Sequence, residues 1–195
     1  MYRSFSLGSS GHLCPHALTA CIIGLLYSWN ELEKRMEMRK ALDVNNINPF
    51  LKSAISVFEN VTQMKLAVGR PALTDFSFEK PTYTITVGVV GQMKGQAVLA
   101  MELENAKEIA SKMMYGMPVA ELDEMACSAL NELSNMIMGN TATIFSTQGK
   151  LIDITPPISM LCTDLQIRTD IEPICVPMML DGKEYLQLYI CVYEE

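Results

Sequence analysis

The segment "EYLQLYICVYE", Glu184–Glu194, sets Leu186, Leu188, Ile190 and Val192 at every second position. In an extended strand, alternate side chains point to opposite faces, so these four share one side. A sheet with one apolar side needs a layer packed over it. The rest of the chain supplies both more sheet and the cover. "PTYTITVGVVGQMKGQAVLAM" gives two strands around a tight "GQMKGQ" connection, and "KLAVGRPAL" before it is strand-like. "LIDITPPISML" and "DIEPICVPMML" add strands ahead of the last one. Helical spacing marks three other stretches. "NPFLKSAISVFENVTQM" has Asn48 as N-cap, Pro49 at the first helical position, and Phe50, Leu51, Ala54, Ile55, Val57, Phe58 and Val61 as apolar cover. "ENAKEIASKMMYG" ends at Gly116, a C-terminal stop. "PVAELDEMACSALNELSNMIMGNTATIFSTQG" is longer, with Pro118 near its start and Gly149 after its end. Helix, three strands, two helices, three strands is the order of an α+β layer fold.

A length of 195 residues suits one domain and an appendage. The compact domain is expected over residues 45–195. Residues 1–44 are read as an N-terminal extension, helical or disordered. "ALTACIIGLLYSW", Ala17–Trp29, is too short an apolar run to span a bilayer. "LTAC" has the look of a lipoprotein cleavage box ending at Cys21, but "GHLCPHA" before it supplies no signal-peptide core. No membrane contact is expected. The net charge of -7 and the lack of a basic run argue against nucleic acid. The six cysteines contain no C-x-x-C pair and several lie in apolar stretches, which suits free thiols in the cytoplasm. Both histidines, His12 and His16, belong to the extension. His16 with Cys14 and Cys21 offers no obvious fourth metal ligand, so no metal site is expected. The main body holds no P-loop, G-x-S-x-G, H-E-x-x-H or G-x-G-x-x-G. Any chemistry there must use carboxylates, amides and hydroxyls, or borrow a partner's groups.

One helix face is oddly composed for a merely solvated one. In "SALNELSNMIMGN", at about 100° per residue, Ser128, Glu132, Asn135 and Gly139 fall within roughly 60° of one another. Ala126, Ala129, Leu130, Leu133, Met136 and Ile137 gather on the far side as a buried stripe. The near side is small, polar and free of lysine and arginine.

"NPFLKSAISVFENVTQMKL", the "VGVVGQMKGQAVLAM" hairpin and "SALNELSNMIMGN" together resemble the CheX branch of the CheC/CheX/FliY chemotaxis phosphatases, over about residues 45–195. The family motif is Asp or Ser, three residues, Glu, two residues, Asn, and a proline downstream. Ser128, Glu132 and Asn135 match it, while Pro156 and Pro157 stand one or two residues early for the proline. CheC-type relatives carry the motif twice. Here Ser53 and Ser56 of the first helix are followed, four residues on, by Val57 and Asn60, so one site per chain is expected, as in CheX.

The resemblance implies a CheC/CheX-like layer fold and a hydrolase that removes the aspartyl phosphate of a CheY-type response regulator. Asn135 would orient the attacking water and Glu132 would contact the regulator's lysine. Ser128 and Gly139 would complete the partner-binding face. The chain would bind no cofactor itself, the Mg2+ being held in the partner regulator. Homodimers are implied as well, with "EYLQLYICVY" as the candidate exposed edge. The alternative is a non-catalytic module that binds a response regulator or the flagellar switch on the same fold.

Overall fold

A computed structural model of the chain describes residues 44–167 and 173–194. The expectations placed on residues 1–43, including Cys21 and the Cys14–His16 pair, lie outside the described residues. Helix α1 spans Val44–Thr62. After it come short strands β1 (Ala67–Val68), β2 (Ala72–Leu73) and β3 (Phe76–Phe78), then the long hairpin β4 (Thr82–Gly91) and β5 (Met93–Glu102). Helices α2 (Leu103–Met113) and α3 (Glu124–Thr147) follow. The chain then returns through β6 (Ile152–Ile154), β7 (Ile158–Cys162), β8 (Leu165–Ile167), β9 (Ile174–Leu180) and β10 (Lys183–Glu194). The expected order of helix, strands, two helices, strands is the order found, but two expected strands are split, and β3 and β8 lie outside every segment read as a strand.

The divisions have local causes. Pro156 and Pro157 lack the N–H that a ladder needs, so "LIDITPPISML" breaks into β6 and β7. Pro71 lies between β1 and β2, which both pair with β9. Helix α1 starts earlier than its sequence signals, and Pro49 lies inside it rather than at its first position. Tertiary contacts hold that preceding turn: Asn46 and Ile47 are buried, and Lys150 Nζ donates to Asn46 Oδ1 at 2.7 Å.

One antiparallel sheet runs β1-β9-β10-β5-β4-β6, with β7 continuing the β6 edge along β4. Strand β10 therefore lies inside the sheet, paired with β5 on one side and β9 on the other. The reading of "EYLQLYICVY" as an exposed edge is wrong. Alternation reports that one face is apolar and is silent on whether the flanks are paired. Leu186, Leu188, Ile190 and Val192 do share the buried face, against the helices, in one cluster with Phe50, Phe58, Leu130 and Ile137. At Gly95, φ is +138°, and an added Cβ would lie 2.0 Å from the Cys191 carbonyl oxygen of β10. No other residue fits this backbone approach. The opposite face is covered over part of its area by the ribbon β3–β8, whose Phe76 and Phe78 pack on Val98, Ala100, Cys175 and Tyr189.

This double cover buries acidic protons. Burial pushes the Cys175 thiol up from 9.0 to about 11 and the Tyr83 phenol from 10.0 to about 12. It also raises Tyr185, Tyr189 and Cys191. A raised pKa stabilises the fold below the group's unfolded value and stops doing so as pH rises through the folded one. Stability should therefore hold to about pH 9 and fall as pH climbs through 11 and 12. Denaturant midpoints at about pH 8 and about pH 11 test this; equal midpoints would mean that these groups ionise freely in the folded state.

Candidate functional site

Helix α3 presents the odd face, and its placement follows from how it is started and held. Asp123 is the N-cap, its Oδ1 accepting from the Ala126 N–H at 2.8 Å, so the helix begins at Glu124, six residues beyond Pro118. A carboxylate cap satisfies an end donor and complements the positive end of the helix, which the proline cannot do. The inward side carries Ala126, Leu130, Leu133, Ile137 and Phe145, all essentially buried. Phe145 meets Phe50 of α1 edge-on, with ring centroids 5.6 Å apart. Deeper still, Ser53 of α1 donates its hydroxyl to the Ile137 carbonyl, which also accepts from Thr141 Oγ1 at 2.8 Å. Ser53 is wholly buried there and ties α1 to α3.

With that side fixed, the other faces out. Ser128 and Glu132 are exposed, and Asn135 and Gly139 are half-buried. All four sequence-derived site residues thus lie on the solvent side of one helix, with the amide more deeply seated than the carboxylate. Among the described residues, no hydrogen bond or ion pair engages the side chain of Glu132 or Asn135. A Cβ added at Gly139 meets nothing within 4 Å. The open space is notable because glycine costs a helix interior about 1 kcal/mol relative to alanine. Packing within the described residues gives no reason for it.

Met136 is a correction. It is 41% exposed rather than part of the buried stripe. It stands only about 40° around the helix from Glu132, so position overrides its apolar character. Met125, 61% exposed, joins the same side one turn before Ser128. Asn131, one turn before Asn135, is half-buried, and its Oδ1 is enclosed without a hydrogen-bond partner among the described residues. Sequence reasoning singled out neither Met125 nor Asn131; their spacing from Ser128 and Asn135 was the available signal. Asn140 is half-buried, at the flank of the face.

The flank of α3 next to Ser128 rests on the sheet. The Tyr83 phenol of β4 is enclosed, with Cys127 and Ser159 as its polar neighbours, and burial with the adjoining thiol keeps it protonated. Pro156 is exposed and Pro157 half-buried in the link between β6 and β7, two strands over which α3 packs. Just before them, Thr155 exchanges two hydrogen bonds with Gly88 of β4, N–H to carbonyl at 3.0 Å and N–H to hydroxyl at 2.9 Å. The prolines are thus held at a fixed place on the sheet edge.

The face offers a carboxylate and an amide three residues apart, both outward, and no cation. A carboxylate can pair with a partner's lysine. An amide donates and accepts hydrogen bonds without titrating, so it can order a water. The arrangement lacks an internal nucleophile and base pair, and it suits chemistry completed by a second protein's site.

The family model described as chemotaxis phosphatase CheX matches residues 83–185, a span that holds α3 and all four site residues. The CheY-P phosphatase CheX of Thermotoga maritima is 31% identical over 152 residues, covering 77% of this chain and 97% of that protein. A CheC-like superfamily protein from Shewanella sp. PV-4 superposes with a TM-score of 0.69 at 28% identity, over 77% of this chain and 99% of its own. A chain from the CheX–CheY–BeF3–Mg2+ complex of Borrelia burgdorferi does so with a TM-score of 0.64 at 27% identity, over 76% of this chain and 97% of its own. No helix among the described residues is long and apolar enough to cross a membrane.

Proposed function

The chain belongs to the CheX family of chemotaxis phosphatases, and on that premise we propose that it hydrolyses the aspartyl phosphate of a CheY-type response regulator through the outward face of α3. The observation that carries this reading is the pair Glu132 and Asn135, exposed or half-exposed on one face, with side chains engaged by no hydrogen bond or ion pair among the described residues. Glu132 reaches the regulator's active-site lysine. Asn135 enters behind it and holds a water in line with the bond from phosphorus to the aspartyl oxygen. The water's oxygen forms the new bond to phosphorus and its proton passes to the phosphate product or to solvent, while the aspartate carboxylate leaves with the electron pair of the broken bond. A Mg2+ held by the regulator would supply charge neutralisation at the phosphoryl oxygens. Each tenfold gain in rate needs about 1.4 kcal/mol, so placing one water accounts for a useful acceleration. Ser128 lies at the rim of the contact, and Gly139 leaves space for the regulator's chain to come close. Homodimers belong to the same reading. They pair through the β7 edge, where Ile158 and Leu161 are exposed, rather than through the interior strand β10.

The test is release of inorganic phosphate from phosphorylated CheY-type regulators, with and without this protein. Faster release supports the phosphatase, whereas binding without faster release favours a non-catalytic module.

The activity should reside in residues 45–195, since the 152 aligned residues take up 77% of this chain and 97% of the Thermotoga relative. A chain that starts at Asp43 should fold and release phosphate at the full rate. Insolubility or inactivity of that truncation would place the extension within the domain.

A further inference from the structure

Between Lys112 and Lys150 the chain has no lysine or arginine, yet it carries Glu121, Asp123, Glu124 and Glu132. This stretch is the α2–α3 connection and all of α3. Its surface is also apolar in an unusual way. Tyr115 is fully exposed, and Met117, Met125 and Met136 are 50%, 61% and 41% exposed, while Met138 of the same helix is buried. Single exposed apolar side chains are ordinary, but a group of them rimmed by polar residues marks a contact surface. Tyr115 holds φ at 59° and Gly116 at 85°, which turns the chain out of α2, and the Gly116 N–H ties back to the Ser111 carbonyl at 2.8 Å. Beyond this turn lies a groove of about 460 Å³, lined by Met114, Met117, Pro118, Val119, Glu121 and Met125. It opens at the start of α3, and Met125 on its wall is one turn from Ser128.

We infer that this groove and the adjoining Met125–Met136 stripe form an acidic, methionine-lined docking surface for the receiver domain of the phosphorylated regulator, engaging an apolar side chain flanked by lysines or arginines beside the phosphorylation site. The inference rests on the phosphatase reading and adds the chemistry of recognition to it. Two features select this occupant. The surface is continuous with Ser128 and Glu132 along one helix face, so a body that brings its phosphate to Asn135 also covers Met125 and Met136. Its charge has one sign, so the matching surface must be basic. Methionine is flexible and polarisable, and it packs against apolar groups of differing shape. Such a surface accepts several related regulators while the Glu132–Asn135 pair keeps its chemistry fixed.

The experiment uses the full chain with Met117→Gln and Met125→Gln together. Glutamine keeps the length and helix preference of methionine and removes its apolar character. Affinity is titrated against a beryllofluoride-activated CheY-type regulator at low and high salt, with phosphate release and thermal melting alongside. Dissociation constants should rise at least about tenfold, which is about 1.4 kcal/mol. The melting temperature should not move. Wild-type binding should weaken as salt increases, because the charges are exposed. Unchanged affinity of the double variant would overturn the inference, and so would salt-independent wild-type binding. If instead the double variant turned a wild-type dimer into a monomer, the surface would belong to a second copy of this chain and the inference would fall. Failure of the phosphatase reading is separate: there, wild-type protein binds the activated regulator but does not speed phosphate release.

Discussion

Asn135→Ala should keep the fold and most of the affinity for the regulator, and phosphate release should fall at least about a hundredfold, about 2.7 kcal/mol of barrier. The fold should survive because Asn135 is half-buried on the side of α3 away from Leu130, Leu133 and Ile137, and its side chain makes no hydrogen bond among the described residues. The chemistry should not survive, because on the proposed mechanism the water loses the amide that orders it. Asn135→Asp should fail as well. A carboxylate donates no hydrogen bond in its charged form and is repelled by the phosphoryl oxygens. Asn135→Gln keeps the amide on a longer arm and should retain a small part of the rate. Single-turnover loss of phosphate from a pre-phosphorylated regulator, with a binding curve for each variant, separates chemistry from docking. Wild-type turnover by Asn135→Ala would remove the water-ordering role and return the face to a binding surface.

Much of this was legible because periodicity is written residue by residue. The face shared by Leu186, Leu188, Ile190 and Val192 was visible in alternation alone, and the Gly116 stop in a single residue. Pairing was not legible. Whether β10 is an edge depends on β9 and β5, which meet it from elsewhere in the chain, and no pattern within β10 encodes that. Helix starts failed for the same reason. Asn48 and Pro49 make a good local start, but Asn46, held by Lys150 more than a hundred residues on, carries α1 past it.

At the site, the angular positions of Ser128, Glu132, Asn135 and Gly139 followed from helical geometry, and the structure puts them on the outside. Met136 was misassigned because an apolar residue near the edge of a stripe was counted with the stripe. The docking groove was hidden altogether, since it needs the turn at Tyr115 and Gly116 to bring Met114 and Met117 beside Met125. Those residues were in view as a methionine-rich sequence, but nothing local said which methionines face solvent.

Glu132→Lys should weaken binding of the activated regulator by at least about tenfold at low salt and leave thermal stability within about 0.5 kcal/mol. The side chain is exposed and forms no ion pair among the described residues, so the fold has little to lose. The interface loses twice. On the proposed contact, the regulator's lysine would give up its carboxylate partner and then meet a like charge at close range. The new cation would also be the first in a stretch that otherwise has none between Lys112 and Lys150, so it reverses the local field as well as one contact. Two controls sort these effects. Glu132→Gln removes the pairing without the repulsion and should fall between wild type and Glu132→Lys. Raising the salt should bring the three affinities together, since it screens exposed charges over a Debye length of about 10 Å at 0.1 M. A shared drop in all three, with no convergence, would point to shape rather than charge. An unchanged dissociation constant for Glu132→Lys at low salt would take Glu132 out of the contact and leave Asn135 without its proposed guide.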